Sequence, residues 1–269
     1  MPLAHVLWIG GPPGSGKTTV ATALARRYGL RWYGADTRTW EHRDRALAAG
    51  IAAAARWERL SPAERWATTD DDEFLALSLH RERGPMVVDD VRALPPSPLV
   101  VAEGSTVPAA AVSSGAADPA RAVWLIPTPE FQRAQLQERA LPAGPSRMFG
   151  LLRHVIEQEA REHGAPVLVV DGSLTLAETV AAVEERFAAA LGAGPVATTV
   201  AERRVLLREA NEAIVAQVRG FHSRPWASGD GESAVREFLC ECGDPACQAT
   251  QELPIAKAAG RPVLAPGHG

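Results

Sequence analysis

Lysine is nearly missing from this 269-residue chain: of 28 basic residues only Lys17 and Lys257 are lysine, and all others are arginine. A lysine kept against such a bias needs a chemical reason. Cysteine is scarcer in distribution than in number, because all three, Cys240, Cys242 and Cys247, fall within eight positions. An odd, clustered set excludes a disulfide framework for the chain. No apolar run reaches the roughly 20 residues that a bilayer-crossing helix requires, the stretch 46–55 being among the longest, so no membrane span is expected. The first apolar run, residues 6–9, is too short for a signal-peptide core and leads straight into glycines, which sets the expectation of a cytoplasmic protein without a membrane partner. Neither sign of charge dominates. With 28 basic against 32 acidic residues, a net charge of -4 and a pI near 6.0, the chain has no global attraction for polyanions, and no nucleic-acid partner is expected.

What is present suffices for a large core, since 46% of residues are hydrophobic and 22% charged. Five short apolar runs of strand type, at 6–9, 30–33, 99–102, 122–126 and 167–170, alternate with helix-like stretches. Strands separated by helices imply an α/β fold with a parallel five-stranded sheet and helices on both faces. The span 37–98 is too long for one crossover and reads as a helical insertion. Within it Ser61-Pro62-Ala63-Glu64 spells a helix start, and the acids from Asp70 to Glu73 spell another. Its tryptophans, Trp40, Trp57 and Trp66, are read as packing residues. Pro85 reads as the start of a short helix that carries Asp89 and Asp90 on a solvated face. Gly192-Ala193-Gly194-Pro195 interrupts the pattern, and 199–219 then reads as one amphipathic helix. Two units are therefore expected: 1–192, and 193–269, a helix with a small Cys-rich region that docks on the first unit or is pinned by metal.

Gly11-Pro12-Pro13-Gly14-Ser15-Gly16-Lys17-Thr18 fits the pattern G-x4-G-K-[ST], and it lies between the first strand and a helix running from Thr19 to Tyr28. In that context the glycines let backbone amides face phosphate oxygens at a helix N-terminus. Lys17 then reaches the β- and γ-phosphates, and Thr18 offers its hydroxyl to Mg²⁺. The residues expected to hold ATP are Gly11, Gly14, Ser15, Gly16, Lys17, Thr18 and Thr19. The alternative reading is a structural glycine turn.

The loop and the inserted helices resemble the small P-loop kinases that phosphorylate nucleotides, nucleosides, shikimate or gluconate, and the resemblance spans about residues 1–190. It implies ATP- and Mg²⁺-dependent phosphotransfer to a small hydroxylated or phosphorylated metabolite, a substrate-holding helical insertion after the second strand, and an arginine-bearing lid. Asp36 lies where such kinases carry an aspartate beside the acceptor hydroxyl or the metal, although an aspartate there also suits a helix N-cap ahead of Thr37. Glu103 ends a buried strand where carboxylates of the family hold water on Mg²⁺, and it is preferred over Asp89 and Asp90 for the metal-side or base role. The segment after Ile126 holds Arg133, Arg139, Arg147 and Arg153 around a Leu141-Pro142-Ala143-Gly144-Pro145 break, as a hinged lid would; Arg139 and Arg133 are the candidates for the transferring phosphoryl group. Asp171-Gly172-Ser173 lies where the family wraps adenine. A second class of function stays open, an ATP-switched regulatory module whose C-terminal segment meets a partner.

Cys240-x-Cys242-x4-Cys247 supplies three thiolates, and one imidazole would complete a closed tetrahedral Zn²⁺ site. Free thiols or a redox pair are the alternative. His268 is preferred to His222 as the fourth ligand because the C-x-C-G, C, P-G-H arrangement resembles a recurring tail of bacterial proteins, a resemblance that implies no function.

Overall fold

A computed structural model describes residues 3–268. The chain opens with β1 (Val6–Gly10), buried throughout, and the glycine-rich loop leads from it into α1 (Lys17–Tyr28). Gly29, at φ 68°, closes α1 in the left-handed conformation that glycine adopts without a Cβ penalty. After β2 (Arg31–Gly34) and a 3₁₀ turn (Ala35–Arg38) comes the insertion: α2 (Thr39–Ala48), α3 (Ala52–Arg59), α4 (Pro62–Ala67), α5 (Asp71–Ala76) and α6 (His80–Ala93). There follow β3 (Val100–Gly104), α7 (Ala110–Ser113), β4 (Ala122–Pro127), α8 (Pro129–Glu138), α9 (Ala143–Glu162) and β5 (Val167–Val170). The last part holds α10 (Leu176–Ala193), α11 (Val200–His222), a hairpin of β6 (Val235–Leu239) and β7 (Thr250–Pro254), and α12 (Ile255–Ala259).

Strands β1 to β5 form one all-parallel sheet in the order β2-β3-β1-β4-β5. Successive side chains alternate between its faces. Val6, Trp8, Val100, Ala102 and Trp124 pack beneath α5, α6 and α9, and Leu7, Ile9, Val101, Val123 and Leu125 beneath α1, α10 and α11. All five expected strands are present, at nearly the expected positions. Three neighbouring strands end in glycine at one edge: Gly10 pairs with Gly104, and Gly34 with Glu103. Gly10 tolerates no larger residue, because a Cβ there would lie 2.1 Å from the indole nitrogen of Trp124. The chain thus crosses the carboxyl edge of the sheet closely packed, at the place where parallel α/β sheets open their ligand crevices.

The insertion caps its helices as the sequence spells. Ser61 and Glu64 form a reciprocal capping box, and Asp70 accepts from the Glu73 amide. One boundary differs from expectation. α6 begins at His80, five residues before Pro85, after a sharp break at fully buried Leu79, whose φ is 57°. Asp89 is exposed as expected, but Asp90 is not solvated: it is bound by Tyr33, His42 and Arg45.

α11 starts at a Thr199–Glu202 capping box and lies along the sheet, burying Leu207 and Ala210 with Leu30 and Trp32. Arg31 and Glu209 pair at 2.9 Å, and Arg203 donates to the carbonyl of Arg26 at 2.7 Å. The segment after residue 193 therefore docks on the sheet through this helix. Among the described residues no helix is long and apolar enough to cross a membrane.

Candidate functional site

Left-handed turns at Gly14 (φ 84°) and Gly16 (φ 81°) bring the chain from β1 into α1. The first N–H groups of a helix have no partner within it, so this end of α1 presents free donors and a positive dipole end. Lys17, only 5% exposed, extends its Nζ to 3.5 Å from Asp36 Oδ2. The other lysine, Lys257, is exposed on α12. Thr18 Oγ1 donates to Glu103 Oε2 at 3.1 Å. Gly14, Gly16, Thr18 and Thr19 face a large cavity, whereas Gly11 is tucked against the Leu125 carbonyl and Ser15 is buried with its hydroxyl unpartnered.

The two carboxylates differ in environment. Asp36 lies inside the 3₁₀ turn and its side chain caps no helix, which removes the N-cap alternative. Asp36 lines the cavity, and its side chain is 43% exposed. Burial alone would raise its pKa, but Lys17, Arg83 and the Ser105 hydroxyl, which donates at 2.8 Å, hold it below the ordinary value. Glu103 is 1% exposed, and burial pushes its pKa up to about 7 against the opposing pull of Lys17, with the charge of Asp36 adding to the rise. One carboxylate is thus held ionised facing the cavity, and the other, buried, is near its titration midpoint at neutral pH.

The cavity measures about 760 Å³ and runs from the glycine-rich loop into the helical insertion. That volume suits a small-molecule site. Trp40, Trp57 and Trp66 all line it, joined by Phe149 from α9 and by Phe221 and Trp226 from the C-terminal segment. The three insertion tryptophans are therefore wall residues and not simply packing. The C-terminal wall is pinned by Arg224, which grips Asp44 at 2.6 and 3.0 Å and donates to the Trp40 carbonyl. Trp40, Phe221 and Trp226 meet ring to ring at 5.5 to 5.7 Å, Trp40 tilted against both and Phe221 edge-on to Trp226. Lys17, Arg43, Arg65, Arg83 and Arg139 bring positive charge to the lining, and Asp36 is the acid among them.

Of the four arginines expected on a lid, the structure brings only Arg139 to this cavity. Arg133 is exposed on α8 and lines a separate recess with Gln137 and Ser146. Arg147 bridges α9 to the Thr68 and Thr69 carbonyls and Asp71, and Arg153 pairs with Glu157. Asp171 accepts from the amide and hydroxyl of Ser173, a local turn outside the cavity lining. Sequence reasoning missed Arg43, Arg65 and Arg83, which look like ordinary solvated helix charges, and Gln132, whose amide joins the Pro13 carbonyl to that of Phe149.

At the far end of α1, Cys240, Cys242, Cys247 and His268 bring their ligand atoms within 4.8 Å of one another. The His268 Nδ1 lies 3.3 Å from Cys240 Sγ and 3.6 Å from Cys247 Sγ, while His222 packs instead on Phe221. Burial opposes ionisation of Cys240, yet amides of Ala265 and Cys242 and the neighbouring side chains draw its thiol down to about 7. Buried Arg26, on α1, donates to the Ala249 carbonyl at 2.6 Å beside these sulfurs. Three sulfurs and one imidazole nitrogen at this spacing are the donor set that a tetrahedral thiophilic cation takes.

No protein-family model matches the chain, and comparison with curated proteins finds no significant match. The fold and the site define a parallel α/β protein with a loop-and-lysine cavity on one side and a Cys₃His cluster on the other.

Proposed function

We propose that this protein transfers a phosphoryl group from ATP to a small hydroxylated or phosphorylated molecule held in the large cavity. The observation that carries the reading is the convergence of Lys17, Thr18, Asp36 and Glu103 where the glycine-rich loop meets that cavity. The free amides at the start of α1, with Lys17, suit the β- and γ-phosphates. Thr18 and Glu103 form the oxygen-donor pair suited to Mg²⁺ and its water, and the bound ion would neutralise charge developing on the phosphates.

The acceptor hydroxyl oxygen attacks the γ-phosphorus, the bond from that phosphorus to the β–γ bridging oxygen breaks, and ADP leaves with the bonding electrons. Asp36 receives the hydroxyl proton. Its depressed pKa makes it a weak base, so its main work is to orient the hydroxyl, and proton transfer comes late in the step. Arg139 supports the charge from the α8 side.

Lys17→Ala is expected to lower phosphotransfer about a hundredfold or more, by analogy with the removal of one charge-stabilising donor elsewhere. ADP release over a panel of hydroxylated metabolites measures this, and unchanged turnover in the variant would overturn the reading. For the Cys₃His cluster we propose Zn²⁺. Substitution with Co²⁺ is expected to give the intense d–d absorption of a tetrahedral thiolate site, and its absence would remove the metal from the account.

A further inference from the structure

Two arginines in the cavity wall hold N–H groups that the protein leaves unused. Arg43, 4% exposed, donates Nη2 to the Leu77 carbonyl at 2.6 Å, but its Nη1 is buried without a partner. Arg65, 2% exposed, donates Nε to the Trp57 carbonyl at 3.1 Å, but its Nη2 is buried without a partner. Among the described residues neither is in a direct ion pair, although Glu58 is near enough to favour the charged form of both. Burying a cation with spare donors and no direct anionic partner costs several kcal/mol, and in Arg43 burial and then the charge of Arg83 bring the pKa down to about 9 against the opposing pull of Glu58. Both side chains reach the same cavity.

The guanidinium groups lie on indole faces. Arg43 is 4.2 Å from the centre of the Trp57 ring, and Arg65 lies 3.6 Å from Trp226 and 4.8 Å from Trp57. Stacking of this kind holds a guanidinium plane in place and keeps the fork geometry that pairs with a bidentate anion. Trp66 stands edge-on to Trp57 at 5.9 Å, which makes an aromatic recess beside the two free donors. Trp226 itself is fixed by its Nε1 donating to Glu58 Oε2 at 2.7 Å.

We propose that this recess binds a planar aromatic molecule carrying an anionic group, with the carboxylate or phosphate on Arg43 and Arg65 and the ring among Trp57, Trp66 and Trp226. The inference rests on the phosphotransfer reading for the role of that molecule as acceptor, but the binding itself does not require ATP. A nucleoside monophosphate and an aromatic carboxylic acid share the required chemistry. Because Trp226 and Phe221 come from the chain after residue 193, the choice of ligand belongs partly to the C-terminal segment.

Four of the seven tryptophans line the cavity, so intrinsic fluorescence reports its occupation. The full-length protein, without nucleotide, is titrated with UMP, GMP and 4-hydroxybenzoate as ring-bearing anions. Uridine, guanosine and phenol serve as neutral counterparts, and gluconate and inorganic phosphate as anions without a ring. At least one ring-bearing anion is expected to quench saturably, with its neutral counterpart and both ringless anions at least tenfold weaker. Arg65→Met is expected to abolish the preference for the anion, and Trp226→Ala to weaken the ring-bearing ligand at least fivefold. In both variants the rise in Tm caused by Mg-ATP should persist. If a variant does not fold, the wild-type selectivity series decides alone. Equal binding of neutral and anionic rings, ringless anions binding as tightly, or no binding of any ring-bearing anion at millimolar concentration overturns the proposal. A protein that binds the ring-bearing anion but neither responds to Mg-ATP nor cleaves it sinks the phosphotransfer reading and leaves this inference standing.

Discussion

A single carboxylate shows how much one residue fixes. Asp90, on α6, accepts from the Tyr33 hydroxyl on β2 at 2.7 Å and, on α2, from His42 Nε2 at 2.8 Å and Arg45 Nη1 at 2.5 Å. Burial alone would raise its pKa, but these hydrogen bonds outweigh burial and hold it at about 2. A carboxyl whose folded pKa lies below its unfolded value lends stability that is complete above the unfolded value, about 4, and drains away as pH falls through the folded one. Asp90→Asn should therefore cost about 2 kcal/mol at neutral pH and remove the loss of stability between about pH 4 and 2. Urea unfolding of both proteins over a pH series measures it, and parallel curves would contradict the account. The sequence shows Asp90 only as an acid beside an acid, and starting the helix at Pro85 turned it to solvent. Its three donors come from elements 45 to 57 residues away, which no local pattern discloses.

At the scale of elements, the strands of the main sheet were legible because each is a short, mostly apolar run; in β1, β3 and β4 burial on both faces writes it, whereas β5 leaves Val167 and Val169 exposed. The hairpin was not: β6 (VREFL) and β7 (TQELP) are half polar and largely open to solvent, so neither carries a strand signature. α11 was legible as an amphipathic helix, but amphipathicity says that a face is buried and not what covers it. Asn211 supplies the answer. Fully buried on α11, it donates to the Leu239 carbonyl at 2.9 Å and to Glu241 at 2.7 Å, and accepts from the Leu239 amide at 2.9 Å. Asn211→Ala would leave these groups unpaired and should cost on the order of 3 kcal/mol. Hydrogen exchange is expected to rise first in residues 235–254, and uniform protection in the variant would argue against this anchoring. Of the candidate site, the loop, Lys17, Asp36, Glu103 and the cysteine cluster were readable from spacing or resemblance. Arg43, Arg65 and Arg83 were not, because the sequence does not tell which arginine of a helix turns inward.

Across the whole molecule α11 joins two distant features. Arg204 donates to the Cys242 carbonyl and Arg208 to the carbonyls of Ala258, Ala259 and Arg261, while the other end of the helix places Gln217 and Phe221 in the cavity. If the cluster holds the proposed Zn²⁺, chelating it should lower Tm by about 5 °C or more. It should also weaken the binding of ring-bearing anions, read by tryptophan quenching before and after chelation. Unaltered ligand affinity in the stripped protein would separate the cluster from the cavity. The position of Trp226 also bears on how the protein is made. Synthesis delivers the five sheet strands by residue 170, and the N-terminal part can fold as it emerges. The last wall of the cavity arrives more than fifty residues later, with Trp226. A nascent chain would therefore have its glycine-rich loop in place before Trp226 exists, and, on the function proposed above, phosphate binding would precede acceptor selection during synthesis.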